Sequence, residues 1–97
     1  FDYTAVLTSS DVQAIGVYRA AADAGLDIPS DLAVVGFDGI EEAQFMVPRL
    51  TTVRQPIQDI GIALGRALRA VLAGEVPTLP RLELRLVERA SVREVRA

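Results

Sequence analysis

Hydrophobic and polar positions divide the chain into short apolar runs and longer amphipathic stretches. The runs at residues 4–8 and 33–37 are apolar and too short for helices, so each predicts a strand. The second run is rich in β-branched and aromatic side chains, which predicts a strand buried on both faces. Between them, apolar residues recur every three or four positions from Val12 to Ala22, which predicts a helix. Strand, helix and strand in this order indicate a right-handed βαβ unit in a Rossmann-like parallel sheet.

Local signals predict where this helix begins and ends. Ser10 and Gln13 have the spacing of a capping box, in which the serine oxygen accepts from an early helix amide and the glutamine returns to the cap's own amide. Asp11 in the first turn suits the positive end of the helix dipole. Gly25 is typical of a helix C-terminus.

The rest of the chain predicts a short helix, a second long helix and one further strand. Residues 40–47 are predicted to form about two helical turns that end at Pro48, followed by an extended connection at residues 50–56. Residues 57–73 form the longest amphipathic stretch. Residues 82–86 alternate apolar and charged side chains, which favours a strand at a sheet edge, and residues 88–97 are predicted to form a frayed end.

Polar side chains follow both predicted parallel strands. Ser9, Ser10 and Asp11 come after the first strand, and Asp38 comes directly after the second, where Gly39 turns the chain. Parallel strands end at the same edge of a sheet, so these side chains should converge where α/β sheets bind ligands. The alternative is that Ser10 and Asp11 only cap the helix and Asp38 only ends its strand.

Composition narrows the chemistry that such an edge can perform. The chain has 10 arginines, 13 acidic residues and a net charge of −3, with no lysine, histidine or cysteine. These absences exclude a Walker loop, a Schiff-base lysine and disulfides, and they disfavour general-base catalysis. Dispersed arginines in an acidic chain do not form a nucleic-acid footprint, and charged residues interrupt every apolar run before bilayer length. No metal and no cofactor is predicted.

Two ordered motifs carry a resemblance to a known family. VVGFDG at residues 34–39, followed by LTTVRQP at residues 50–56, resembles the C-terminal part of LacI/GalR-family transcription regulators, and residues 5–25 and 86–92 resemble further strands and helices of that family. The resemblance implies an α/β fragment of a periplasmic-binding-protein-like fold, without the DNA-binding head. The family core has two subdomains, 97 residues allow one modest core, and Phe1 is not a methionine, so we expect a piece of a longer regulator.

The resemblance also implies a division of the chain. Residues 1–50 would be a portion of the C-terminal subdomain, residues 51–77 the crossover and a helix of the N-terminal subdomain, and residues 78–97 the returning strand and tail. Most of the N-terminal subdomain is missing here. We therefore expect the apolar face of the helix at residues 57–73 to fold onto the present sheet or to exchange between protomers.

By resemblance, the ligand is a small polar metabolite, a sugar or a nucleobase-like compound. The predicted contacts are Asp38, Ser10, Gln55, Asp11 and Ser9, although Gln55 could instead cap the helix that follows it. Sugar-responsive relatives often carry asparagine at the position of Ser10. The first helix and the short helix would form a homodimer interface through Ile15, Tyr18, Arg19, Phe45 and Met46, unless these side chains only pack on their own sheet.

The implied mechanism is allosteric rather than catalytic. An effector in the cleft between the subdomains would select one orientation and thereby change operator binding, through a DNA-binding head outside this chain, in the cytoplasm and away from membranes. One alternative is a periplasmic-type sugar-binding protein. The other is an α/β enzyme using Asp11 and Asp38, which would need a further convergent carboxylate that the sequence does not place.

Overall fold

The computed structural model describes residues 2–95 and has the predicted α/β class. Its strands are β1 (Ala5–Leu7), β2 (Ala33–Asp38), β3 (Thr51–Arg54) and β4 (Arg85–Val87), and its helices are α1 (Asp11–Asp23), α2 (Ile57–Leu72) and the short 3-10 helix Glu41–Phe45. Both long helices begin and end within two residues of the predicted bounds. No helix among these residues is long and apolar enough to cross a membrane.

The four strands form one sheet in the order β1-β2-β3-β4. β1, β2 and β3 are parallel, which confirms the predicted βαβ pair. β4 is antiparallel to β3 and lies at the edge of the sheet, as its alternating pattern predicted, but its direction was not predicted. The returning strand begins at Arg85 rather than at residue 82 because β3 ends at Arg54, in register with Arg85, and Pro56 cannot donate to a longer ladder.

A small core lies between α1, the sheet and the 3-10 helix. Its buried members are Ala14, Leu32, Val34, Ala43 and Leu50. Two of these five side chains are alanines, which let backbones approach closely but bury little apolar area. Half-buried side chains, among them Val6, Tyr18 and Met46, pack around this cluster.

The chain forms two compact units. The first contains the described residues up to Arg54 together with those from Arg85 onward, and the second is Gln55–Leu84. None of the residues of α2 is buried, and its Ile62, Leu64 and Leu68 are exposed. Folding of this face onto the sheet was one of the two predicted alternatives, and it stays a prediction. Exchange between protomers, the other alternative, also stays a prediction.

The segment after β4 is anchored rather than frayed, which corrects another prediction. Ser91 is fully buried; its hydroxyl accepts from Thr51 N–H at 2.8 Å and donates to the carbonyl of Val34. Arg89 donates from Nη1 to Leu50 O at 2.9 Å. The last two residues of the predicted tail lie outside the described residues. This segment therefore ties the starts of β2 and β3 together.

Candidate functional site

The N-terminus of α1 meets the end of β2 through the carboxylate of Asp11. Asp11 Oδ2 accepts from Gly39 N–H and Ile40 N–H, both at 2.9 Å, and Asp11 Oδ1 accepts from Thr52 Oγ1 at 2.6 Å. The side chain is fully buried. Hydrogen bonds to a charged acceptor are stronger than neutral ones. One carboxylate thus joins α1, β3 and the turn after β2, and holds Ser9, Ser10 and Asp38 at the same sheet edge.

Gly36 provides the space that this carboxylate occupies. A Cβ atom on Gly36 would lie 2.1 Å from Asp11 Oδ1 and 2.9 Å from Leu50 Cδ2, so no larger residue fits without moving Asp11. Gly36 pairs in register with Thr52 on the neighbouring strand. Thr52, which donates a hydrogen bond to Asp11, therefore lies directly beside this space. The sequence shows Gly36 only as part of an apolar run, and this role was missed.

The turn after β2 has an unusual backbone. Asp38 has a φ of 127°. Residues other than glycine rarely adopt this backbone conformation, which costs them about 1–3 kcal/mol. Gly39 has a φ of 77°, and a Cβ there would lie 2.8 Å from Arg54 Cα. Surrounding contacts, including the hydrogen bonds from Gly39 and Ile40 to Asp11, hold this conformation. Strained residues of this kind cluster at functional sites.

Ser9 and Ser10 lie beside this turn as helix caps. Ser10 Oγ accepts from Gln13 N–H at 3.2 Å, as predicted. The predicted hydrogen bond from the Ser10 amide to the Gln13 side chain is wrong by one residue. Gln13 Oε1 instead accepts from Ser9 N–H at 3.0 Å and from Ser9 Oγ at 2.7 Å. Within residues 2–95 the Ser10 hydroxyl donates no hydrogen bond, so its hydrogen can serve a ligand.

Asp11 and Gln55 differ from the other three predicted ligand contacts. Asp11 is buried with its own donors, so its role in this structure is to position the edge rather than to face a ligand. Gln55 follows β3 directly and belongs to the second unit, where its carbonyl accepts from Ile57 N–H at 2.9 Å. Ligand contact by Gln55 stays a prediction.

Arg54 is a candidate that the sequence did not reveal. It ends β3 in register with Asp38 on β2, so its side chain leaves the sheet beside that carboxylate, and it is exposed. The segment containing Arg54 was predicted as an extended connection. Its alternation with Thr52, two residues earlier, was the signal that both side chains lie on one face of the sheet.

No cluster of potential metal ligands occurs within residues 2–95. A depression of about 430 Å³ within Gln55–Leu84 is lined by residues that were not predicted as ligand contacts: Asp59, Ile62, Ala63, Arg66, Thr78, Pro80 and Leu82. A shallower one of about 380 Å³ lies beside Tyr18 and Pro48. Neither includes Asp38 or Ser10.

The five predicted dimer residues fall into two groups. Ile15 and Phe45 are 43% and 71% exposed, and Arg19 is exposed and pairs with Asp23 on its own helix at 3.2 Å. Tyr18 and Met46 are half-buried against the core. The Tyr18 hydroxyl donates to Pro48 O at 2.8 Å. Burial raises the pKa of this phenol above its ordinary value, and the Ser91 side chain opposes that effect.

Comparisons with known proteins agree with this architecture. The family model for the periplasmic binding protein-like domain matches residues 2–92. The transcriptional repressor PurR of Escherichia fergusonii is 37% identical over 91 residues, which are 92% of this chain and 27% of PurR. The ribose operon repressor of Escherichia coli is 51% identical over 57 residues, which are 59% of this chain and 17% of that protein.

A solved structure gives the same result. The LacI-family transcriptional regulator of Enterococcus faecium with bound ribose superposes with a TM-score of 0.84 at 30% identity, covering 99% of this chain and 37% of that one. The chain therefore spans well under half the length of each of these three proteins. It belongs to the periplasmic binding protein-like domain family, as the C-terminal part of the effector-binding core of a LacI/GalR-family transcriptional regulator.

Proposed function

We propose that this chain supplies part of an effector site whose occupancy controls operator binding by the regulator that carries it. The observation that supports this proposal most directly is the triple hydrogen bonding of Asp11, which fixes Ser10 and Asp38 at one sheet edge. That edge is where open α/β sheets bind small molecules. The relatives are named regulators and repressors, and no catalytic role is proposed.

The chemistry of the edge suits a polyhydroxyl or amide-rich ligand. The Asp38 carboxylate can accept two charge-assisted hydrogen bonds from neighbouring donors. Ser10 can donate its hydroxyl hydrogen, while Ser9 has already donated its own to Gln13. A sugar or a nucleobase-like metabolite presents matching groups. The ribose-bound regulator of Enterococcus faecium and the ribose operon repressor make a sugar the first candidate for this chain.

Regulation would follow from differential affinity. An effector that binds one conformational state of the regulator more tightly than the other shifts the population toward that state. Linkage then requires operator binding to change effector affinity by the same factor. DNA contact is assigned to a region outside this acidic chain, and the cytoplasm is the proposed place of action.

We also propose that α1 and the 3-10 helix contact a second copy of the chain. Ile15 and Phe45 place exposed apolar surface on these two elements, and burying such side chains is worth about 1.5–3 kcal/mol each. Arg19 lies on the same helix and would contribute at the rim of the interface, where charges have small effects. Tyr18 and Met46 support this surface from the core side.

Isothermal titration calorimetry of the intact regulator tests the effector site. The probes are ribose, a disaccharide and a purine base. Asp38→Ala should abolish binding of the probe that the wild type binds, because the ligand loses its charged acceptor. Asp27→Ala is the matched control, since Asp27 precedes β2 and lies at the opposite end of that strand. Wild-type affinity in the Asp38 variant would remove this residue from the site.

A further inference from the structure

Arg54 and Arg85 lie directly opposite each other at the sheet edge that carries Ser10 and Asp38, which we call the effector edge. They are paired positions on the antiparallel strands β3 and β4, and Arg54 is also in register with Asp38 on β2. Opposite residues on neighbouring strands project to the same face, with Cβ atoms about 4.5–5.5 Å apart. Like charges in this arrangement destabilise a sheet. The sheet therefore carries an unfavourable pair at this edge.

Asp38 is the carboxylate in register with Arg54, so in this row of the sheet two guanidinium groups accompany one carboxylate. Both arginines are exposed, and within residues 2–95 neither takes part in an ion pair or a side-chain hydrogen bond. The stem of Arg54 lies close to Gly39, where an added Cβ would be 2.9 Å from Arg54 Cγ. Gly39 in turn is held by Asp11. The start of the Arg54 side chain is thus fixed by the same contacts that shape the effector edge.

The two arginines also lie where the chain passes from one compact unit to the other and back. Arg54 is the last residue of the first unit before Gln55–Leu84, and Arg85 is the first residue after it. A ligand that bound both guanidinium groups would contact β3 and β4 at the residues where the chain leaves the first unit and returns to it. Segments that connect two units are where conformational changes between units are absorbed.

We propose that Arg54 and Arg85 form an anion subsite that takes the phosphate or carboxylate group of the effector. Guanidinium groups bind both anions through paired hydrogen bonds and keep their charge at all physiological pH values. This inference rests on the proposed effector site and makes it more specific. Asp38 and Ser10 would bind hydroxyl or amide groups, and the arginine pair would select an acidic metabolite, such as a sugar phosphate or a sugar acid, over its neutral parent.

Thermal unfolding in sodium phosphate tests the subsite, with sodium chloride at equal ionic strength as the reference. At about ten times its Kd, phosphate should raise Tm by about 2 °C or more in the wild type. Arg54→Gln and Arg85→Gln should lose this rise. Arg49→Gln is the matched control, because Arg49 is an exposed arginine just before the other end of β3. A wild type without a phosphate-specific rise, or an Arg54 variant that keeps it, would overturn the subsite.

A second titration assigns the anion to the effector. Ribose, glucose and their phosphates are compared, together with gluconate. At least one acidic compound should bind the wild type tenfold more tightly than its neutral parent, and Arg54→Gln should remove that preference. If no acidic compound does so, the assignment to the effector is wrong.

Asp38→Asn separates this inference from the effector-site proposal. The variant should keep the phosphate-specific rise in Tm, but calorimetry should detect no binding of neutral sugars. Retention of sugar affinity would contradict the role of Asp38 and leave the arginine pair standing. The opposite result has two parts: Asp38→Asn loses its affinity for sugars, and Arg54→Gln keeps the wild-type response to phosphate. This result would support the role of Asp38 and contradict the arginine subsite.

Discussion

The Thr52 hydroxyl on β3 donates a 2.6 Å hydrogen bond to the carboxylate of Asp11 at the start of α1. Both residues are fully buried, and 41 positions separate them in the chain. The other oxygen of Asp11 accepts from Gly39 and Ile40. A buried polar group without its partner costs about 1–3 kcal/mol, so this carboxylate makes the helix, the turn and the strand depend on one another.

Removing the Asp11 carboxylate should be the most destabilising change at this edge. Asp11→Ala leaves the Thr52 hydroxyl and the amides of Gly39 and Ile40 without their acceptor, for an expected loss of about 3 kcal/mol in the free energy of unfolding. Thr52→Val removes one donor and should cost about 1–2 kcal/mol. Urea denaturation measures both. A loss below about 0.5 kcal/mol in Asp11→Ala would contradict this account.

The double variant tests the direct contact. If Thr52 acts through Asp11, the effects of the two substitutions should fail to add by about 1 kcal/mol or more. Additive losses would show that the two side chains contribute independently.

Gly36 should tolerate no side chain. Gly36→Ala places a Cβ 2.1 Å from Asp11 Oδ1, so the carboxylate must move away from its donors, and we expect a loss of about 2 kcal/mol or more. Gly16→Ala is the matched control, since nothing lies within 4 Å of a Cβ at that helical position. It should stabilise α1 by about 0.5–1 kcal/mol. Thermal denaturation distinguishes the two, and equal effects would contradict the packing described at Gly36.

Local patterns predicted the helices, the βαβ unit and the shared edge because each depends on neighbouring residues. They could not reveal the function of Asp11, since its donors lie 28, 29 and 41 positions away and a capping aspartate has the same sequence pattern. Ser91 was missed for the same reason. It lies in a charged segment, but its hydrogen bonds reach Thr51 and Val34, and only the folded sheet brings these together.

Stability should fall at high pH through Tyr18. Burial raises the pKa of this phenol, so the folded protein binds its proton more tightly than the unfolded chain does. The contribution is complete below the ordinary pKa of about 10 and is lost as the pH rises through the raised value. Tyr18→Phe should weaken this alkaline loss, and at neutral pH it should cost about 0.5–1.5 kcal/mol through the lost bond to Pro48 O.

Urea denaturation between pH 8 and about 11 gives both results. An alkaline profile that is identical in the wild type and in Tyr18→Phe would show that this phenol does not contribute.

The proposed dimer surface can be tested by charge insertion. Ile15→Glu and Phe45→Glu each place a carboxylate on an exposed apolar position, so a dimer that buries them should weaken by at least tenfold in Kd. Sedimentation equilibrium of the intact regulator measures this change. Val95→Glu, at a 91% exposed position far along the chain, is the control. Unchanged association in both test variants would place the interface elsewhere.

The arginine pair illustrates what an alternating pattern leaves out. Arg54 and Arg85 are 31 positions apart, and each looks like an ordinary solvent-facing strand residue. Their opposition depends on β4 running antiparallel to β3, which the sequence did not predict. The direction of one edge strand therefore decides whether two like charges face each other.

A crystal structure of the intact regulator with its bound effector tests the central claim most directly. The account predicts polar atoms of the ligand about 2.6–3.2 Å from the Asp38 carboxylate and from Ser10 Oγ, at the edge that Asp11 holds together. An effector bound instead in the depression lined by Asp59 and Arg66, with Asp38 and Ser10 untouched, would contradict it.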